Sequence, residues 1–134
     1  MKSPADSVSL LVAAVESRRT EPFRWGSNDC CTFAAFCVDS MTGSDWVSDL
    51  ADCYWDKASA YSYIAEQGGI EPAVTKRLGA PVPALLARRG DVCLVETPEG
   101  YGLAICVGAS VVIPGESGLI SKPLSEVIKA WRIS

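Results

Sequence analysis

Two adjacent cysteines follow Asp29 in the segment "FRWGSNDCCTF" (residues 23–33), and they are the side chains best placed to do chemistry. Asp29 is a good N-cap residue, so Cys30 is predicted to lie in the first turn of a helix. The helix dipole and the free N–H groups there favour a thiolate, which makes Cys30 a candidate nucleophile. Papain-type chemistry also needs a base, usually a histidine, and a third group that orients this histidine.

The chain contains no histidine, so this thiol has no ordinary base. The carboxylates of Asp29, Asp91 and Glu96 do not replace one, because a carboxylate beside a thiol raises the thiol pKa through like-charge repulsion. Cys30 also belongs to the apolar stripe of its predicted helix, together with Phe33. Three interpretations therefore stay open for Cys30: a core thiol, a reactive or vestigial nucleophile, or a metal ligand.

The cysteines of the chain are predicted to be free thiols. They are Cys30, Cys31, Cys37, Cys53, Cys93 and Cys106. The N-terminal sequence lacks the long apolar centre of an export signal, and a chain of 134 residues does not need disulfides to fold. Zinc and iron–sulfur sites use CxxC pairs, and no such pair occurs in the sequence. The sequence therefore predicts neither a metal site nor a cofactor.

Composition restricts the class of protein. The 49% of hydrophobic and 21% of charged residues are typical of a globular domain, and the length suffices for one domain but not for two. No apolar run approaches the ~18–20 residues of a membrane span. The net charge of −4 and the scattered basic residues argue against a nucleic-acid-binding surface. Because the N-terminus is a poor secretory signal, synthesis in a cytoplasm is predicted.

The order of the predicted elements indicates the fold class. Helical spacing of apolar residues comes first, and strands separated by Gly- and Pro-containing turns follow. This order predicts an α+β fold in which N-terminal helices pack on one face of a small antiparallel sheet. A single domain, 1–134, is predicted, with a helical part at about 3–79 and a strand part at about 88–134. The predicted helices are 3–18, 30–42, 56–67, 72–78 and 124–130, and the predicted strands are 90–96, 101–108, 110–114, 119–123 and an edge strand at 131–134.

The segment "WVSDLADCYWD" (residues 46–56) is the best candidate for a partner-binding loop. It contains Trp46, Tyr54 and Trp55, and large aromatic side chains often anchor protein interfaces. Aspartates interrupt the segment and keep it near the surface, although each aromatic side chain taken alone is more typical of a core. The aspartate spacing does not match an EF-hand loop, so calcium binding is not predicted.

Four segments resemble those of the NlpC/P60 superfamily of papain-like cell-wall cysteine peptidases: "WGSNDCCTF", "RRGDVCLVE", "YGLAICVG" and "AWRI". Asp29 and Cys30 match the D-C-[SG]-x-[FL] segment that opens the nucleophile helix, and residues 90–92 match the G-D-[LV] strand opener. Residues 102–108 align with the H-V-G-I-x-x-G strand that carries the base. The resemblance implies a papain-like fold with Cys30 at the nucleophile position and Gly102 at the position of the lost base.

The chain is also similar, over nearly its full length, to a family of small phage and prophage proteins encoded among tail genes. Four patterns of that family, F-x-W-G-x-x-D-C, T-G-x-D, P-G-x-x-G-L and A-W-R-[IV], match residues 23–30, 42–45, 114–119 and 130–133. This resemblance implies a protein of the virion tail, at the tail tip, that is made in the host cytoplasm. The implied partners are other phage tail proteins and, at the tip, the host cell wall.

The residues and the resemblances together predict a structural or adaptor component of a bacteriophage tail, built on a degenerate peptidase scaffold without hydrolase activity. The alternative is a peptidoglycan-cleaving thiol peptidase or amidase in which Cys30 is the nucleophile. Its base would be a group other than histidine, or another tail protein would supply it in trans. A third hypothesis is an immunity or regulatory protein of a prophage, which would be absent from the virion.

Overall fold

The computed structural model describes residues 4–133. The predicted helix start at residue 3 and the two ends of the predicted domain lie outside these described residues. Within them the helices are α1 (Pro4–Arg18), α2 (Cys30–Thr42), α3 (Trp46–Leu50), α4 (Lys57–Glu66) and α5 (Ile70–Leu78). The strands are β1 (Val82–Pro83), β2 (Val92–Thr97), β3 (Gly100–Cys106), β4 (Ser110–Gly115), β5 (Gly118–Pro123) and β6 (Val127–Trp131), and single 3₁₀ turns lie at Ala84–Leu86 and Leu124–Glu126.

Helix α2 carries both adjacent cysteines, and local sequence sets its two ends. Oδ1 of Asp29 accepts hydrogen bonds from the backbone N–H groups of Cys31 (3.0 Å) and Thr32 (3.1 Å), and the Thr32 hydroxyl accepts one from the Asp29 N–H (2.9 Å). This capping box pairs N–H groups that the helix itself leaves free. The helix ends at Gly43, whose φ of 76° is a left-handed conformation that glycine adopts without strain. The prediction of a helix at 30–42 is confirmed.

The strands form one antiparallel sheet within the described residues, in the order β1-β6-β2-β3-β4-β5. Successive side chains of a strand point to opposite faces. Val92 and Leu94 of β2 therefore join the core beneath the helices, whereas Cys93 and Val95 join a second buried apolar cluster. Helix α2 packs between α1 and β3. The predicted α+β class, with N-terminal helices on a small antiparallel sheet, is confirmed.

The C-terminal segment differs from the prediction. Residues 124–130 were expected as a helix and 131–134 as an edge strand, but Val127–Trp131 forms β6 in the interior of the sheet. This strand pairs with β2 through Val92↔Trp131, and the indole N–H of the buried Trp131 donates to Thr75 of α5 (3.1 Å). Both predictions are wrong, because so short an apolar segment has no decisive period and pairing with a distant strand decides its conformation.

Smaller differences concern the helical half. The aromatic segment 46–56, predicted to be a loop, contains the short helix α3, and α5 begins at Ile70 rather than at residue 72. Residues 82 and 83, which no predicted element covers, form β1 and pair with β6. Among the residues that the structure describes, no helix combines the length and apolarity needed to cross a membrane.

Candidate functional site

A cleft of about 560 Å³ opens beside the N-terminus of α2. It forms because β4 separates from β3. The ladder between these strands consists of Ile105↔Val112 and Cys106↔Val111, whereas β4 pairs with β5 along its whole length. Toward Gly102 the two strands are therefore apart, and the first turn of α2 lies at the gap between them.

Asp29 anchors this first turn. Its side chain is buried, and besides capping α2 it accepts hydrogen bonds from the Tyr54 hydroxyl (2.7 Å) and from the backbone N–H of Gly26 (2.8 Å). The carboxylate thus joins α2 to the loop that precedes it and to the loop before α4. Hydrogen bonds to a charged acceptor are about twice as strong as neutral ones, so this buried set holds the first turn in place.

Cys30 and Gly102, the residues at the suggested nucleophile and base positions, are neighbours across the cleft. A Cβ atom at position 102 would lie 3.5 Å from Sγ of Cys30 and 3.2 Å from Cγ2 of Thr97. Gly102 does not have a positive φ, so its backbone conformation does not itself require glycine. A side chain at this position of β3 would begin in contact with the thiol.

Hydrogen bonding makes Cys30 the more acidic of the two thiols. The Cys31 thiol and the backbone amide of Leu103 hydrogen-bond to its sulfur and lower the pKa of Cys30, against the opposing effects of burial and of the Asp29 charge. The same hydrogen bond between the two thiols, together with burial, raises the pKa of Cys31 well above its ordinary value. When the pair ionises, Cys30 is therefore the sulfur that loses its proton.

Two charged side chains of the cleft are held in ion pairs. Nζ of Lys122 lies 3.6 Å from Oε1 of Glu126, and Oε1 of Glu99 lies 3.4 Å from Nζ of Lys57. Each of the two therefore has a charged partner. The chain has no histidine to act as a base for the thiol.

Aromatic side chains form one wall of the cleft. Phe23 and Trp25 meet edge to face with ring centroids 4.8 Å apart, and Trp25 meets Tyr61 in the same way at 6.1 Å. Tyr101 of β3 also lines the cleft and is 62% exposed. Phe23 and Trp25 could be suspected from the sequence because they precede the cysteines, whereas Tyr61 and Tyr101 come from distant elements and carry no sequence signal.

The structure buries two of the three candidate partner-binding residues. Trp46 and Tyr54 are 6% and 5% exposed, whereas Trp55 is 70% exposed. Trp46 is buried because residues 46–50 form α3, which packs on α2, and Tyr54 is buried where its hydroxyl reaches Asp29. Trp46 and Tyr54 therefore belong to the core, and Trp55 is the member of the three that a partner can reach.

One comparison with known proteins gives a family. A family model described as a domain of unknown function (DUF6950) matches residues 5–133. No curated protein matches the chain. The matched range contains the helices, the sheet and the cleft, so the cleft is part of the family domain rather than of an added segment.

Proposed function

We propose that this chain, which belongs to the family of the domain of unknown function DUF6950, is a structural or adaptor component of a bacteriophage tail, as its sequence resemblance to phage tail-gene proteins implies. In this proposal the scaffold is of the papain-like, NlpC/P60 type and has lost its base. The observation that carries the proposal is the contact between Cys30 and position 102. A thiol in the first turn of a helix faces a strand position where a base could act on it, and a glycine occupies that position.

The lost base argues against hydrolysis by this chain alone. A thiol peptidase needs a general base to activate the thiol and to return a proton to the leaving group. Cys30 has a lowered pKa, but the neighbours that lower it are the Cys31 thiol and a backbone amide. Neither group performs general acid–base catalysis near neutral pH. In this proposal the cleft therefore holds a thiol without the base that hydrolysis needs.

Exposed aromatic side chains fit an adaptor role. Trp55 is 70% exposed, and Tyr61 and Tyr101 are 43% and 62% exposed beside the cleft. Trp and Tyr are enriched among the residues that dominate interface energies. We propose that this side of the molecule contacts other tail proteins, at the tip where the tail meets the host cell wall. The predicted location is the virion tail, after synthesis in the host cytoplasm.

The test is mass spectrometry of purified virions together with two variants. We expect the protein at a fixed copy number in virions, and Cys30→Ala virions that adsorb and deliver DNA normally. Trp55→Ala is expected to reduce incorporation into the tail at least severalfold, with Val12→Ala, an exposed apolar residue on α1, as the control. Absence of the protein from virions would overturn the proposal and favour the regulatory hypothesis.

A thiol peptidase or amidase acting on peptidoglycan is the second candidate. The open cleft and the lowered pKa of Cys30 favour it, and its base would come from a group other than histidine or from another tail protein. It predicts that Cys30→Ala virions assemble normally but deliver DNA poorly through an intact cell wall. Normal delivery by those virions eliminates this candidate.

A further inference from the structure

The two adjacent thiols form a cluster that the proposed function does not use. Sγ of Cys30, Sγ of Cys31 and a carboxylate oxygen of Asp29 all lie within 4.8 Å of one another. All three residues border the open cleft, so solutes can approach the cluster. Two sulfur atoms bound at about 2.3 Å to a single metal ion stand at most about 4.6 Å apart. A separation of no more than 4.8 Å therefore allows one ion to reach both sulfurs.

We propose that Cys30 and Cys31 bind a soft monovalent cation, of the chemistry of Cu(I), between their two sulfur atoms. On binding, the ion forms two metal–sulfur bonds and replaces the two thiol protons, both of which are released to solvent. No change of oxidation state is involved. The proposal does not rest on the tail assignment, since it concerns only the ligand chemistry of the first turn of α2.

The donor set favours a soft ion of low coordination number. The Asp29 carboxylate already accepts hydrogen bonds from the N–H groups of Gly26, Cys31 and Thr32 and from the Tyr54 hydroxyl. It is therefore committed to the fold, and the site offers two sulfur ligands. Structural zinc sites are almost always four-coordinate, whereas thiolates select soft ions such as Cu(I). Two sulfurs at an open cleft suit an ion that is satisfied by two ligands.

The remaining cysteines provide internal controls. Cys37, Cys93 and Cys106 are fully buried in the apolar clusters. Cys53 is half-buried like Cys30, but its thiol donates to the backbone carbonyl of Asp49 (3.2 Å). Cys53 has no adjacent cysteine in the sequence. Substitution of Cys53 therefore tests whether any accessible thiol suffices for Cu(I) binding.

The first experiment is an anaerobic titration of the full chain with Cu(I), in competition with a chromogenic Cu(I) chelator. We expect one ion per chain. Cys30→Ser and Cys31→Ser should each weaken binding by more than about tenfold, the least that removal of an outer-shell partner of a metal site costs, whereas Cys53→Ser should bind as the parent does. Equal weakening by Cys53→Ser, or binding that survives both ligand substitutions, would show that the ion binds elsewhere and overturn the proposal.

A second measurement uses the unsubstituted protein, so it remains decisive if a variant fails to fold. The chain is alkylated with and without one equivalent of Cu(I), and each cysteine is then quantified by mass spectrometry. We expect Cu(I) to slow alkylation of Cys30 and Cys31 together at least tenfold and to leave Cys53 unchanged. If Cu(I) leaves alkylation of Cys30 and Cys31 unchanged, the two thiols do not share an ion and the inference is wrong.

Discussion

Gly102→His would place an imidazole beside the thiol, and it tests the central geometry of the cleft. The new Cβ atom would start 3.5 Å from Sγ of Cys30, and the ring would extend into the open cleft. The contact of 3.2 Å with Cγ2 of Thr97 requires a shift of a few tenths of an ångström by a side chain near the cleft mouth. We therefore expect the variant to fold with its imidazole against the thiol.

The magnitude follows from the short separation. An imidazolium about 4 Å from a thiolate attracts it by about 4 kcal/mol at an effective dielectric constant of about 20, which equals about 3 pKa units. Because Cys30 is only half-buried, solvent screens part of this attraction, so we expect the variant to lower the pKa of Cys30 by a further ~1–3 units. The pKa of Cys30 must fall rather than rise, because a positive neighbour stabilises the thiolate and not the thiol.

The assay is site-resolved alkylation of the folded protein across a range of pH values. The midpoint for Cys30 should move to lower pH in Gly102→His, and alkylation at mildly acidic pH should rise at least tenfold. Gly102→Gln is the matched control, because it adds comparable bulk without a titratable ring. An unmoved midpoint in a folded Gly102→His protein, or an equal shift in Gly102→Gln, would show that an imidazole at position 102 does not reach the Cys30 thiolate.

Three further predictions concern the core and its titration. Tyr54→Phe removes the 2.7 Å hydrogen bond to the buried Asp29 carboxylate. It should lower the free energy of unfolding, measured in urea, by about 1.5–3 kcal/mol. An unchanged midpoint of urea unfolding would contradict the anchoring role of that carboxylate. Trp46→Ala should cost about 3–5 kcal/mol in the same assay and Trp55→Ala less than about 0.5 kcal/mol, and equal losses would contradict the assignment of Trp46 to the core. Burial raises the pKa of Cys37 to about 12. As the pH rises, the thiol therefore ionises in the unfolded chain before it ionises in the folded protein. Its contribution to the free energy of unfolding is complete below about pH 8.5 and is lost as the pH rises toward 12. Cys37→Ala should therefore show a shallower loss of urea stability above pH 9, and an identical slope would contradict the raised pKa.

Much of the helical half could be predicted because its determinants are local. Helix α2 has its cap, its apolar stripe and its terminal glycine within a few residues of one another, and its observed bounds of Cys30–Thr42 equal the predicted ones. Strands β2 to β5 also lie near the predicted positions. Runs of β-branched residues between turn residues predict a strand from the local sequence alone. The conformation of Val127–Trp131 could not be predicted in this way, because it depends on pairing with a strand more than thirty residues earlier in the chain.

The sequence by itself determined that the site would contain a helix-capped cysteine pair and no histidine. These facts depend on residue types and on spacings within one helical turn. Tertiary structure alone decided what the pair faces. The separation of β4 from β3 opens the cleft, and the packing of α2 on β3 places Cys30 against Gly102. Packing also buries Trp46 and Tyr54 in the core. It brings Tyr61 and Tyr101 to the cleft. The reason is that these neighbours come from elements distant in the chain, and only packing brings their side chains together.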